Sequence, residues 1–268
     1  MRIITKCKLC KSSNRSLIGT DKDDDRYLNL IDSDLNKETR SWFRCNDCNF
    51  IYRSKVITEE EANILYANYR SYDFRKITPQ NYFDRLTTIP DHKSEAYSKA
   101  IYIKENTKNI QSILDVGCGG GILIWHLRRC FPASIIKGLE PNTEYACMVR
   151  KNLEIEVTED FYSENKIDSS FDLTVSTDVI EHIHDVNIFW KAANININNG
   201  KYLFIETPST KNFENLDISH DLFKSPHLYF FSKNHIENIA NKNGFSLQDS
   251  KLVNHRDIYK DWYIFIKD

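Results

Sequence analysis

The chain has 268 residues, of which 41% are hydrophobic and 28% charged, and a formal net charge of −2. That length suits one large domain and one small one, and the apolar content supports a real core, which excludes wholesale disorder. The near-zero charge gives no global sign of a nucleic-acid or anionic-membrane binder, and no apolar run approaches the roughly 20 residues that cross a bilayer.

The first residues, Met1 to Leu17, mix Lys, Arg, Cys and Ser. They lack the continuous apolar stretch and small-residue cleavage site of a secretory signal, so a cytoplasmic location is the expectation. The seven cysteines then read as thiols or metal ligands rather than disulfides. Cys7-x-x-Cys10 and Cys45-x-x-Cys48 offer two sulfurs each, the pattern of a closed tetrahedral zinc site with no position left for catalysis. The intervening residues 11–44 must double back as an extended hairpin to bring the pairs together. Residues 1–55 are therefore expected to form a zinc-binding lobe, with Trp42, Phe43, Phe50, Ile51 and Tyr52 as a miniature core.

Residues 56–110 read as a helical connector. Thr58 followed by Glu61 is a capping box, and Ser94 to Asn106 has helical spacing at Ala96, Ala100, Ile101 and Ile103. Tyr66, Tyr69, Tyr72, Tyr82 and Phe83 make this segment rich in aromatic rings, which suit either packing or a cover over a bound molecule.

From 111 to 268 short apolar strands alternate with helical stretches. Strands are expected at Ser112–Val116, Ile135–Leu139, Leu173–Ser176, Tyr202–Glu206, Phe245–Ser250 and Ile258–Ile266. The alternation predicts an α/β fold, a Rossmann-like, mostly parallel sheet with helices on both faces. The last two strands have no helix between them and are expected to pair as an antiparallel hairpin at the sheet edge.

The first strand of this region runs into Asp115-Val116-Gly117-Cys118-Gly119-Gly120-Gly121, and a helical pattern follows. Glycines there permit a sharp turn and close approach of backbone to ligand, and the helix start adds unpaired N–H groups. A dinucleotide fingerprint, G-x-G-x-x-G, fails because Ile122 stands where its third glycine belongs. Glu140, at the end of the next strand, can accept both hydroxyls of a ribose. Two carboxylates suit a ligand with a ribose and a cationic amino-acid tail better than a pyrophosphate, which they would repel.

These residues resemble the class I S-adenosylmethionine-dependent methyltransferases. Asp115 to Gly121 match the family's first motif, Glu140 its second-strand acid, and Phe171 to His182 its fourth-strand region, over about residues 111–250. The resemblance implies cofactor contacts from Asp115, Gly117, Gly119, Gly121, Glu140, Asp160 and Asp178, with S-adenosylmethionine as cofactor and a small-molecule acceptor. The layout as a whole is similar to bacterial methyltransferases of nucleotide-linked or surface-polysaccharide sugars. Those acting on carbon carry a further C-terminal domain, which favours an oxygen acceptor here.

A hydroxyl acceptor needs a group to take its proton. His182, in Glu181-His182-Ile183-His184-Asp185, and His220 and His227, in the long aromatic segment 215–232, are the candidates. Loops of that length are often lids or binding loops. Three other readings stand beside this one: an RNA base methyltransferase with a zinc lobe, against which the charge speaks; a methyltransferase-like module without activity; and a nicotinamide-dependent oxidoreductase, which Ile122 disfavours.

Overall fold

The computed structural model describes residues 1–37 and 39–268. The N-terminal part holds β1 (Arg2–Ile3), β2 (Arg15–Asp21), β3 (Arg40–Cys45), β4 (Ile51–Arg53) and β5 (Lys55–Val56). β1 pairs with β5, while β2 pairs with β3 and β3 with β4, all antiparallel. Arg15 lies opposite Cys45, so the expected hairpin forms and carries the first cysteine pair to the second.

Four helices follow: α1 (Glu59–Asn68), α2 (Tyr72–Arg75), α3 (Pro79–Thr87) and α4 (Glu95–Asn106). The capping box at α1 is complete: the Thr58 hydroxyl accepts the Glu61 N–H, and the Glu61 carboxylate accepts the Thr58 N–H at 2.7 Å. Ser94 caps α4 by accepting the Tyr97 N–H. The Tyr72 side chain, part of the aromatic patch expected from the sequence, lies outside the described residues.

The rest is built on β6 (Ser112–Val116), α5 (Ile122–Cys130), β7 (Ile135–Leu139), α6 (Thr143–Leu153), β8 (Val157–Thr158), β9 (Phe171–Thr177), α7 (Val186–Asn196), β10 (Ile197–Pro208), α8 (Asn212–Asn215), β11 (Tyr229–Phe230), α9 (Lys233–Lys242), β12 (Phe245–His255) and β13 (Ile258–Lys267). Seven of these strands form one sheet in the order β12-β13-β10-β9-β6-β7-β8. The five from β10 to β8 run parallel, and β13 and β12 close one edge antiparallel. β6 and β10 carry apolar side chains on both faces, as burial under helices on each side demands, whereas β9 buries Thr174 and Ser176 on one face. Ile113, Leu173, Val175, Phe204 and Ile264 face one core, shared with α4, α5 and α6. Their neighbours Leu114, Val116, Leu203, Ile205 and Phe265 face the other, shared with α7 and α9. That alternation is the period-two geometry of a strand.

The second core does not end at the sheet. Ile4, Cys7, Cys45, Phe50, Tyr52 and Val56 of the N-terminal lobe belong to it. The small sheet is completed from the far end of the chain: β11 pairs antiparallel with β4, Tyr229 opposite Tyr52 and Phe230 opposite Ile51. The long segment after β10, expected as a binding loop, is thus anchored by a strand. Ring packing of Trp42 against Phe213, Phe223 and Phe230 explains why it is so aromatic.

Candidate active site and four-cysteine cluster

β6 has β7 and β8 on one side and β9 and β10 on the other, so chain order reverses beside it. Ligands in open α/β sheets bind beyond the strand ends at such a point. A cavity of about 860 Å³ lies there. It is large within the usual range of ligand pockets, with room for a nucleoside and a second molecule.

The glycine turn forms its floor. Gly117 and Gly119 have φ of 71° and 53°, a region that L side chains avoid. A Cβ on Gly117 would stand 2.7 Å from Val179, and one on Gly119 would stand 2.9 Å from the Arg70 guanidinium. The turn is pinned to the next strand, since the Gly117 and Cys118 N–H groups both donate to the Leu139 carbonyl. Gly121 completes the turn as the residue before α5. Glu140 braces it by accepting the Gly119 N–H at 2.8 Å and the Asn142 N–H at 3.0 Å. Each Glu140 oxygen keeps further lone pairs for a ligand.

Asp115 is 1% exposed, yet neither carboxylate oxygen has a partner among the described residues. Burial pushes it up to about 8; Lys99 opposes this and Glu140 adds to it. Such an orphan, lining a cavity, suits a cationic ligand group. Arg70 supplies the opposite sign. Its guanidinium stands over the rings of Tyr69 and Tyr145, each 4.9 Å away, and borders the cavity. A glycine cradle between a bare carboxylate and a guanidinium fits the zwitterionic tail of S-adenosylmethionine, and Glu140 fits its ribose. α1 closes over this end, held by the Asn142 amide donating to the Tyr66 and Ala67 carbonyls.

Asp178, at φ 52°, stands in the cavity wall beyond β9. Burial raises its pKa, but Lys260 and Lys99 overcome this and hold it down to about 2. The Lys260 ammonium donates to Asp178 at 2.7 Å and to buried Glu206 at 3.1 Å; Lys99 donates to Glu206 at 2.6 Å. Glu95 lies 3.3 Å from both lysines. This cluster draws on α4, β10, β13 and the turn after β9, so sequence reasoning singled out Asp178 but missed its partners. The one local signal was a charged pair, Lys260-Asp261, inside an apolar strand. Arg70 was missed for the same reason. Asp160 does not line the cavity; its carboxylate pairs with Lys166 at 2.6 Å, and the adjacent Phe161 and Tyr162 form the wall.

His182 follows β9 on a short 3-10 turn, and His227 precedes β11. Their rings stack at 4.7 Å and both line the cavity. Burial lowers His182 to about 4 and, with the His182 ring nearby, His227 to about 3. Both are therefore uncharged at neutral pH. His220 does not line that cavity, although it shares a smaller adjoining pocket of about 150 Å³ with His227. Its Nδ1 accepts the Leu222 N–H.

In the N-terminal lobe the four Sγ atoms of Cys7, Cys10, Cys45 and Cys48 lie within 4.8 Å of one another. Cys7 and Cys48 are 3.6 Å apart, Cys10 and Cys45 3.4 Å, too far for disulfides. Sulfurs around a tetrahedral zinc at about 2.3 Å stand about 3.8 Å apart, so the set fits that ion. The two knuckles are alike. Lys11 and Asn49, each following a pair, take φ of 65° and 63° and donate their N–H to the Cys7 and Cys45 carbonyls. His235 links the lobe to the sheet domain through the Cys48 carbonyl at 2.7 Å.

A family profile described as "Methyltransferase domain" matches residues 69–250. (S)-tetrahydroprotoberberine N-methyltransferase of Eschscholzia californica is 26% identical over 146 residues, 51% of this chain and 42% of that protein. Ubiquinone biosynthesis O-methyltransferase of Rickettsia akari is 35% identical over 80 residues, 29% of this chain and 32% of that protein. The chain thus matches less than half the length of these curated relatives. Among solved structures, magnesium protoporphyrin IX methyltransferase from Synechocystis, with bound S-adenosylhomocysteine, shares the fold: TM-score 0.57, 14% identity, 77% of this chain and 100% of that one. An S-adenosylmethionine-dependent methyltransferase from Clostridium acetobutylicum gives 0.52 and 14%, over 70% of this chain and 96% of that one. Among the described residues no helix is long and apolar enough to cross a membrane.

Proposed function

The chain belongs to the class I S-adenosylmethionine-dependent methyltransferases, and on that premise we propose that it moves a methyl group to an oxygen of a small, sugar-type acceptor. The observation that carries the cofactor half of this reading is the orphaned Asp115 carboxylate at the foot of the glycine turn. When bound, S-adenosylmethionine supplies a methyl already activated on a sulfonium, which leaves the protein to position, shield and manage a proton. Asp115 holds the ammonium of the methionyl tail and Arg70 its carboxylate. Gly117, Gly119 and Gly121 keep the turn free of side chains, Glu140 accepts the ribose hydroxyls, and Phe161 and Tyr162 wall the adenine. Asp178, pinned by Lys260, stands between the cofactor and acceptor ends.

The acceptor half is supported by the far end of the cavity. The cavity wall includes Tyr27, Glu59, Asn63, Leu222 and Ile258, which offer aromatic and aliphatic faces beside hydrogen-bonding groups, a mix that suits a polyhydroxylated ring. His182 and His227 present uncharged imidazoles to that space, which favours an acceptor whose hydroxyl proton must be withdrawn. His182→Ala and His227→Ala are expected to lower turnover on the order of 10²-fold or more while S-adenosylhomocysteine binding holds. His220→Asn is expected to leave turnover within about twofold. Zinc is assigned to Cys7, Cys10, Cys45 and Cys48 as a structural ion.

The test is incubation of the protein and labelled S-adenosylmethionine with a panel of nucleotide sugars and polysaccharide precursors, read by mass spectrometry. A gain of one methyl on an oxygen of a panel member is expected. Label entering RNA, or a nitrogen or carbon acceptor, in place of every sugar oxygen would overturn the acceptor assignment.

A further inference from the structure

We propose that Glu181, His182 and His227 form a second metal site, for a divalent cation of the zinc type, in the wall of the acceptor end of the cavity. Glu181 is fully buried beneath the histidine pair. Its Oε2 accepts the Thr207 hydroxyl at 3.2 Å, and its Oε1 has no partner among the described residues. The His227 Nδ1 lies 2.7 Å from the Leu222 carbonyl, an acceptor only, so the ring proton sits on Nδ1. His227 Nε2 is then a bare lone pair, and it faces Glu181 Oε1 at 3.9 Å. His182 offers a comparable atom: its buried Nδ1 has no partner among the described residues.

Three candidate ligand atoms on three side chains therefore converge, all within 4.8 Å of one another. Buried polar atoms are almost always satisfied, and acceptors facing acceptors repel. A proton shared between Glu181 and His227 would satisfy two of the three; a cation satisfies all. Ligand atoms around a tetrahedral ion at about 2.0–2.1 Å stand about 3.4 Å apart, so small side-chain adjustments close the set. Two imidazoles and a carboxylate select a borderline cation such as zinc or cobalt over magnesium or calcium. The Leu222 carbonyl orients the His227 ring from behind, as outer partners of metal-bound histidines do. Unlike the four-cysteine cluster this set offers three ligand atoms, and two of its residues, His182 and His227, line the cavity. An acceptor oxygen is the group such an ion would take there, and the ion would ease loss of the hydroxyl proton, so that the two histidines would act as its ligands rather than as the base; that role rests on the acceptor reading above. The site itself does not.

The test is metal content by plasma mass spectrometry after loading the full chain with excess zinc and desalting. The wild-type protein is expected to retain two equivalents, and Glu181→Gln and His227→Ala one each. His182→Asn is a third variant should either fail to fold. Cobalt in the second site is expected to show visible d–d bands without the sulfur charge transfer of the thiolate site. One equivalent in the wild type, or two in every folded variant, overturns the proposal. Binding of S-adenosylhomocysteine, measured on the same samples, reports separately on the methyltransferase reading.

Discussion

Asp115 is the residue on which the cofactor account turns. With its pKa pushed up to about 8, it is mostly protonated at pH 7 in the free protein. A bound ammonium stabilises the carboxylate and lowers that pKa, so binding at pH 7 must release protons, approaching one per chain, and above about pH 9 release none. Calorimetry of S-adenosylhomocysteine binding in buffers of different ionisation enthalpy reads this directly. Proton uptake, or no linkage at either pH, would contradict it, and Asp115→Asn is expected to abolish the release and weaken binding at least tenfold. Gly117→Ala forces a side chain into positive φ and against Val179. It is expected to cost about 1–3 kcal/mol of stability in denaturant titration and to abolish binding. At this scale the turn was legible: Asp115, Gly117, Gly119 and Glu140, singled out at the ends of two strands, line one cavity. Arg70 and Lys260 were not legible, because each acquires its role from a partner far away in sequence.

Elements were legible where a period or a cap marked them. β6 and β7 have their expected bounds, Ser112–Val116 and Ile135–Leu139, because a strand buried on both faces is a short apolar run between turns. β10 extends beyond its expected span to Ile197–Pro208, since Asn198, Asn199 and Gly200 hide its start. β11 was invisible, two residues whose pairing with β4 depends on the folded lobe. That pairing makes a prediction. Metal binding and folding are coupled in small cysteine sites, so removal of the ion should loosen the small sheet as a unit. Hydrogen exchange of Arg53, whose N–H donates to Leu228, is expected to speed up on chelation or in Cys48→Ser, together with that of Leu228. Unchanged exchange at both positions would show that the lobe stands without metal.

At the scale of the whole molecule, the lobe and the sheet domain share a core. His227 sits one residue before Leu228, which is tied to β4, and its ring is part of the acceptor wall. The cofactor end is built from β6, β7, α1 and the glycine turn, of which α1 packs on the N-terminal part through Leu28 and the Met1 amino group, away from the four cysteines. Metal loss from the four cysteines is therefore expected to lower turnover several-fold or more while S-adenosylhomocysteine affinity changes little. Equal losses in both would mean that the lobe supports the whole cavity rather than one end. This division was beyond sequence reading, which treats residues 1–55 as a lobe of their own; nothing in a linear pattern reveals that residues 229–230 complete its sheet.

The most direct measurement is a calorimetric titration of the purified chain with S-adenosylmethionine, with Glu140→Ala run beside it. One site per chain is predicted, weakened at least tenfold by the substitution. A wild-type protein that takes up neither S-adenosylmethionine nor S-adenosylhomocysteine at millimolar concentration would contradict the account at its centre.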